Sequence, residues 1–391
     1  MGFLVFWLIF IQFSDSCCSE LYDKIQSLYL KDLLMVPQNI GLEEATVLLN
    51  SVAIPFYVIA ALAPMAKILV DYLGKKKVLI LSFGILMSGA AICMTTDNWL
   101  LFLLGNSLVS FGCSVDIQYI YIVDEIREER RGTVRGVLAA VAALAGMVIA
   151  FTRNGTGDWR KMYLVGIILV AAAVMVTMIW MPKDLRKPLT KATPKLLKEK
   201  APGSIRGLMM YLLPLFFWGI GVAAVTFYNE PIVSMTLDSE DMIQTAMIIQ
   251  PIITMAITLV SGYLSDRLSR KKVIVADILI AIVGTVVFVL TGIFKWELPV
   301  LIGVTWGMMI GGFFAATNLM LLVVTEKSPA EKIGRVAALS SYFNGAGTGV
   351  GMVIISVLGK LFNTGLAKLI LIIPVGLITL TSILLLKKKA S

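Results

Sequence analysis

Apolar residues in this chain gather into runs of about 20, and twelve such runs recur along it, parted by short polar stretches. At a rise of about 1.5 Å per residue, a helix of that length matches the roughly 30 Å hydrocarbon core of a bilayer. The pattern predicts helical spans 1 to 12 over residues 2–34, 45–70, 78–95, 99–123, 136–152, 162–182, 208–234, 242–264, 273–294, 298–324, 336–362 and 366–386. Span 1 is overlong and turns polar in its second half. The expected fold is an all-α membrane protein with 12 transmembrane helices.

The polar stretches repeat. After span 2 comes Asp71-Tyr72-Leu73-Gly74-Lys75-Lys76-Lys77, and after span 8 comes Asp266-Arg267-Leu268-Ser269-Arg270-Lys271-Lys272: an acid, a turn, then cations, 195 residues apart. Span 4 ends in Asp124-Glu125, followed by Arg130-Arg131-Gly132, and span 10 ends in Thr325-Glu326, followed by Gly334-Arg335. The far end of span 1 reads Leu21-Tyr22-Asp23-Lys24-Ile25, and that of span 7 Tyr228-Asn229-Glu230-Pro231-Ile232. Three features at nearly one offset imply a duplicated unit, hence two pseudo-symmetric six-helix bundles related by an axis along the membrane normal, with a site between them. A basic linker, 183–206, carries Pro188, Pro194, Pro202 and Gly203 and divides an N-terminal bundle, 1–182, from a C-terminal one, 207–391.

Composition agrees: 58% of residues are hydrophobic and 15% charged, against about 25% charged in soluble domains. The net charge of +9 raises nucleic acid as a partner, but its placement answers otherwise. Three cations fall in 75–77, four in 127–135, eight in 183–206, four in 267–272, three in 327–335 and three in 387–389, whereas 95–98 and 235–241 hold none. Cations stay on the cytoplasmic side, so a multi-pass protein of the inner membrane with both termini cytoplasmic is expected, and no nucleic acid. The chain has no His, which excludes His ligands, His proton relays and Ser-His or Cys-His catalysis. The four Cys lie in predicted spans without CxxC spacing and read as packing residues. Residues 1–13 lack the basic start and small-residue cleavage site of a leader. Gly345-Ala346-Gly347-Thr348-Gly349-Val350-Gly351 sits inside span 11 with no strand before it, so it predicts close helix packing rather than a nucleotide loop. No G-x-x-x-x-G-K-(S/T) occurs, so ATP is not an expected partner; no cofactor, metal or enzymatic activity is expected, and Asn154-Gly155-Thr156 is a sequon by pattern only.

The two acid-turn-cation loops resemble those of the major facilitator superfamily, and the resemblance covers nearly the whole chain. The family's loop reads roughly Gly-x-x-x-Asp-(Arg/Lys)-x-Gly-(Arg/Lys)-(Arg/Lys). The first copy matches at Asp71, Gly74, Lys75 and Lys76 and departs at Lys67 and Tyr72. The second matches at Gly262, Asp266, Arg267, Arg270 and Lys271 and departs at Ser269. Glu125 with Arg131-Gly132 resembles the family's span 4–5 motif. The resemblance implies a secondary transporter working by alternating access, with a gate built from Asp71 and Asp266 at the starts of spans 11 and 5. It also implies gate pairs of Glu125 with Arg131 and Glu326 with Arg335. The Arg that many members carry in span 4, four residues before a Gly, is Leu101 here, which tells against drug-pump proton antiport.

Acids within a bilayer cost about 2.5–3.5 kcal/mol and belong on a cavity. Asp15, Ser19, Tyr22 and Gln26 share a face of span 1, with Asp15 roughly 20 Å in from Gly2. Gly112, Asp116 and Tyr119 share one of span 4; Tyr228, Asn229 and Glu230 precede a helix-bending Pro231 in span 7. Asn318 and Asn344 are polar liners or interhelical bonds, Trp218 and Trp306 cavity walls or lipid anchors, and Asp277 an interfacial residue. Glu20 with Lys24 forms an i, i+4 pair; Lys24 and Arg153 are either counterions for an anionic solute or interfacial residues. A cavity so composed favours a neutral or cationic small organic solute, with protons exchanged through Asp15 or Asp116. The expected state is a monomer in lipid. The alternative is a non-transporting sensor or scaffold on the same fold.

Overall fold

The computed structural model describes residues 2–115, 117–152, 158–180, 205–326 and 333–385. Asp116, Arg153, the sequon, most of the linker and the cationic tail lie outside that set, as do the side chains of Asp23 and Asp71. Among the described residues ten helices are long and apolar enough to cross a membrane. Spans 1 and 2 fall outside that set of ten.

Span 1 is built from α1 (Gly2–Ser19), α2 (Leu21–Lys24), α3 (Gln26–Leu30), a π-helical turn over Lys31–Met35, and α4 (Val36–Gln38). The single helix expected over 2–34 is therefore broken, most sharply at Ile25, whose φ of −118° leaves the helical region. Span 2 is α5 (Leu42–Leu62), a 3-10 stretch Ala63–Leu69 with Pro64 in its first turn, and α6 (Val70–Leu73). Pro64 offers no N–H to an α turn, and the helix tightens there. Then follow α7 (Lys75–Thr95), α8 (Trp99–Ser114) with α9 (Gln118–Glu125), α10 (Arg131–Thr152) and α11 (Trp159–Trp180), which are spans 3 to 6. In the second half come α12 (Ile205–Thr226) with α13 (Asn229–Thr236), α14 (Glu240–Arg267), α15 (Arg270–Ile293), α16 (Pro299–Glu326), α17 (Ile333–Leu361) and α18 (Thr364–Leu385), spans 7 to 12. Span 7 breaks at Tyr228, held left-handed at φ 62°, not at Pro231 as expected. Pro231 stands in the first turn of α13, where a missing N–H is tolerated.

Packing repeats with a shift of six spans. Spans 1 and 5 pack as 7 and 11 do, 3 and 4 as 9 and 10, 3 and 6 as 9 and 12, and 2 and 4 as 8 and 10. Each half closes on its own core. Trp7, Tyr29, Phe102 and Tyr163 anchor the first, and Trp218, Phe288, Trp306 and Phe313 the second. The halves meet along spans 5 and 8 and along spans 2 and 11. At the first seam the backbones touch: a Cβ on Gly262 would lie 2.6 Å from the Gly132 carbonyl oxygen and 2.8 Å from the Gly136 Cα. On the outside an exposed apolar surface, with Ile168, Met178, Val283 and Leu377 among its residues, faces the bilayer.

Candidate functional site

A cavity of about 870 Å³ opens between the halves, lined from spans 1, 2, 4 and 5 on one side and 8, 10 and 11 on the other. Toward the end of the molecule that carries the cation-rich loops, here the basic end, its wall is a polar layer centred on Tyr119. The Arg135 guanidinium stacks 3.8 Å over the Tyr119 ring, and the Lys67 ammonium lies 5.8 Å from it. The Tyr119 hydroxyl and Arg135 Nη2 both donate to Asn318 Oδ1, at 2.7 and 3.0 Å, and Lys67 Nζ donates to Ser341 Oγ at 2.7 Å. All three donors belong to the first half and both acceptors to the second. Lys67 and Arg135 are buried.

Asp15 and Ser19 line the cavity from span 1, with Glu20 and Lys24 beyond them toward the far end. Lys24 is buried, donates to Gln250 of span 8 and lies 4.7 Å over the Trp306 ring. It is thus a cavity residue, not an interfacial one. Asn318 and Asn344 line the cavity as well. Tyr22, Tyr228, Asn229 and Glu230 do not. The break after Ser19 turns Tyr22 away into the first core, where it stacks on Tyr29. Span 4 is likewise interrupted between α8 and α9, so the helical-face argument joining Gly112 to Tyr119 fails. Gly112 packs on Ser82 and Leu86 of span 3, while Tyr119 faces the cavity.

The residues assigned to the cavity in span 7 hold its break together. Lys368 of span 12, fully buried, donates to Ala224 O at 2.8 Å and to Asn229 Oδ1 at 2.5 Å. The break leaves carbonyls without helical partners, and the ammonium supplies one. Glu230 accepts from Ser27 N at 3.2 Å and Ser27 Oγ at 2.7 Å, linking span 7 to the broken part of span 1. That contact joins the halves on the far side of the cavity. Three further residues also differ from expectation. Asp277 is buried and accepts from Ser261 Oγ at 2.5 Å, so it is no interfacial group. Trp218 and Trp306 are buried in the second core, and neither faces lipid.

At the basic end, Asp266 closes the seam between spans 5 and 8. Its carboxylate accepts from Gly132 N at 2.9 Å and from Thr133 N and Oγ1 at 2.7 Å each. A carboxylate of the second half thereby caps the start of a helix in the first. Arg131 lies 3.5 Å from Glu326, which also pairs with Arg270, and Arg131 donates to the carbonyls of Val123 and Ile126. The expected pairs within each half, Glu125 with Arg131 and Glu326 with Arg335, are thus replaced by a link between halves. Glu125 is exposed and Arg335 lies exposed in the first turn of α17. Lys75 pairs with Asp124 of its own half, and Arg267 stacks 4.3 Å over Tyr263. Gly74 sits at φ 86°, which requires glycine, whereas its counterpart Ser269 at φ −62° does not. That accounts for the departure between the two loops. The side chain of Asp71 is outside the described residues.

Lys67 and Arg135 were missed in the sequence reading for different reasons. Lys67 stands inside a predicted apolar run, a signal in itself. Arg135 was counted among loop cations because span 5 was predicted to begin at 136. The helix begins at Arg131, and one extra turn carries Arg135 inside. With Lys24, these place three cations in a lining whose described acids are Asp15 and Glu20. The expectation of a neutral or cationic solute rested on a cavity whose nameable residues were mostly acidic, amide or aromatic, and the cations on the wall take that ground away.

Comparison with known proteins agrees with this architecture. A family model described as Major Facilitator Superfamily matches residues 28–352. The multidrug transporter protein MdtP of Bacillus subtilis (strain 168) is 21% identical over 232 residues, which are 59% of this chain and 40% of that relative. The chain thus matches less than half of that relative's length. The human organic anion transporter MFSD10 superposes with a TM-score of 0.75 at 12% identity, covering 97% of this chain and 98% of that one. The proton:xylose symporter XylE superposes with a TM-score of 0.75 at 14% identity, covering 96% and 94%.

Proposed function

The chain belongs to the major facilitator superfamily, a family of transporters, and on that premise we propose that it is a secondary active transporter moving a small organic solute across the cytoplasmic membrane by alternating access. The observation that carries this reading is the placement of the cavity. It lies between the two bundles, with contacts between halves on either side of it: Asp266 on span 5 at the basic end, Glu230 on span 1 at the far end. Rocking one bundle against the other breaks one set while keeping the other, and so exposes the cavity to each side in turn. The excess of Lys and Arg in these loops supports a cytoplasmic basic end. The named relatives carry unlike cargoes, so the likeness does not select one.

Asp15 is the proposed proton carrier, since it is a buried carboxylate on the cavity wall. Asp116 keeps the same assignment as an expectation, being outside the described residues. The test is a counterflow screen in proteoliposomes, run with and without an imposed pH gradient. Accumulation of one solute, driven by the gradient in the wild type and lost in Asp15→Asn while counterflow persists, supports the reading. Gradient-driven accumulation that survives Asp15→Asn removes that residue as the carrier.

A further inference from the structure

The start of span 5 carries a second hollow that the central cavity does not use. It is a groove of about 530 Å³ between spans 1 and 5, walled by Phe6 and Ile9 of the first and by Val134 and Val137 of the second, with Arg130 and Thr133 at its basic end. Val137, Leu144, Val148 and Phe151 recur at helical spacing and so share one face of α10. Leu144, Val148 and Phe151 are exposed, as is Phe6 on the other wall. The opposite face of α10, with Ala139 and Ala142, lines the cavity. The groove therefore opens on the bilayer, not on the solute path. Its depth can be read as well. Phe3 and Trp180, both exposed, pack 5.5 Å apart where span 1 begins and span 6 ends. Exposed aromatic side chains at the end of a span mark the headgroup level. Arg130, also exposed, precedes α10 at the same end, and Val137 lies roughly 10 Å deeper.

We propose that this groove binds one phospholipid of the leaflet at the basic end, with its phosphodiester on Arg130 and an acyl chain along Phe6, Ile9, Val134 and Val137. A guanidinium matches the two free oxygens of a phosphodiester and holds them with paired hydrogen bonds. The chain gains close packing against fixed walls, not escape from water, because the surrounding bilayer is just as apolar. The phosphodiester is then what selects the occupant. Glu128 and Glu129, exposed beside Arg130, give a further negative charge on the headgroup nothing to gain. The group recognised is the one that phosphatidylethanolamine and phosphatidylglycerol share. The linker 183–206 follows span 6 at the same end, but its eight cations are repelled by Arg130.

Both walls belong to the first half. Rocking of one bundle against the other leaves the groove intact, so the lipid travels with its bundle and stays bound in every state. Thr133 joins the groove to the gate: its side chain lines the groove, while its amide and hydroxyl donate to Asp266. A filled groove supports the start of span 5 at the residue that receives the carboxylate of the second half.

The experiment uses the full chain, stripped of lipid in detergent. It is titrated with phosphatidylglycerol, phosphatidylethanolamine, a monoglucosyl diacylglycerol of the same acyl chains, and glycerophosphate, and retained adducts are counted by native mass spectrometry. The two phospholipids are expected to bind alike, one tightly held per chain. The glycolipid lacks the phosphate and glycerophosphate lacks the chains, and each is expected to bind roughly tenfold or more weakly. Arg130→Gln should weaken phospholipid binding roughly tenfold, while Arg127→Gln, exposed in the same loop but outside the groove, changes it by less than about twofold. Val137→Trp, which fills the groove from its half-buried wall, should abolish the tight adduct. Should a variant fail to fold, the lipid series on the wild type decides alone. Equal losses in Arg130→Gln and Arg127→Gln would reveal only a general attraction to the basic end and overturn the site. Retention of the glycolipid as tight as that of the phospholipids, or a tight adduct surviving Val137→Trp, would overturn it too. Glycerophosphate bound as tightly as the phospholipids would make Arg130 part of a site for free phosphate esters and remove the lipid from it.

Discussion

A single carboxylate sets how span 5 begins. Nothing in the sequence before Arg131 supplies an N-cap of its own, yet the helix is regular from that residue because Asp266 accepts the Gly132 and Thr133 amides from the other half. Asp266→Ala therefore leaves two amide donors at the seam without their acceptor, at about 1–3 kcal/mol each if they remain dry. The expected result is faster hydrogen exchange at Gly132 and Thr133, with a shift of roughly tenfold or more toward the state open at the basic end. Exchange rates unchanged from the wild type would mean that Asp266 is not a latch. Lys368 is a second case. It is fully buried in the second turn of α18 and satisfies Ala224 O and Asn229 Oδ1 at the break in span 7. Lys368→Met leaves both acceptors unpaired, again at about 1–3 kcal/mol each. A clear fall in melting temperature is expected. A variant as stable as the wild type would show that the break is held by other contacts.

At the scale of the helix, the seam between spans 5 and 8 works because glycines let two backbones meet. A Cβ on Gly262 has no room beside the Gly132 carbonyl. Gly262→Val must part the spans, at about 1–3 kcal/mol for such overpacking, and the Asp266 cap lengthens with them. The variant is expected to label faster with a membrane-impermeant reagent at a cysteine placed at Thr133. Unaltered labelling would contradict the role given to this contact. Gly347 and Gly351 do the same between spans 7 and 11, where a Cβ would come within 2.1 and 2.2 Å of Phe216 and Ile220 carbonyls. The packing role expected for that glycine run holds. These contacts were readable because small residues at a seam leave a pattern in one dimension. The breaks were not. Ile25 and Tyr228 carry no local signal for leaving the helix, since neither is Gly or Pro, and their conformations are held by tertiary partners such as Glu230 and Lys368. Face arguments that ran through those breaks, for Tyr22 and for the Gly112 to Tyr119 stretch, failed with them.

For the whole molecule, the twofold repeat was visible in the loops alone, because the same turn chemistry recurs half a chain apart. The packing bears it out pair by pair, from spans 1 and 5 against 7 and 11 to spans 3 and 6 against 9 and 12. What the loops could not show is which side of the seam each charge serves. Arg131 reaches the opposite half's Glu326, and Lys67 and Arg135 turn inward to the cavity. A charge count along the chain assigns such residues to water, while a helix start shifted by one turn assigns them to the site. The account as a whole depends on the two halves moving as bodies about that site, with the Asp266 and Glu230 contacts made and broken in opposition. The most direct test is a pair of pulsed spin-label distance measurements in nanodiscs, in a background with the four free cysteines replaced. One pair, at exposed Glu129 and Lys272, spans the basic end, and the other, at exposed Asn39 and Asp241, spans the far end. Under cargo and pH conditions that shift the equilibrium, the basic-end distance should lengthen as the far-end distance shortens. Distances that stay fixed at both ends under every condition, or that lengthen together, would contradict alternating access in this protein.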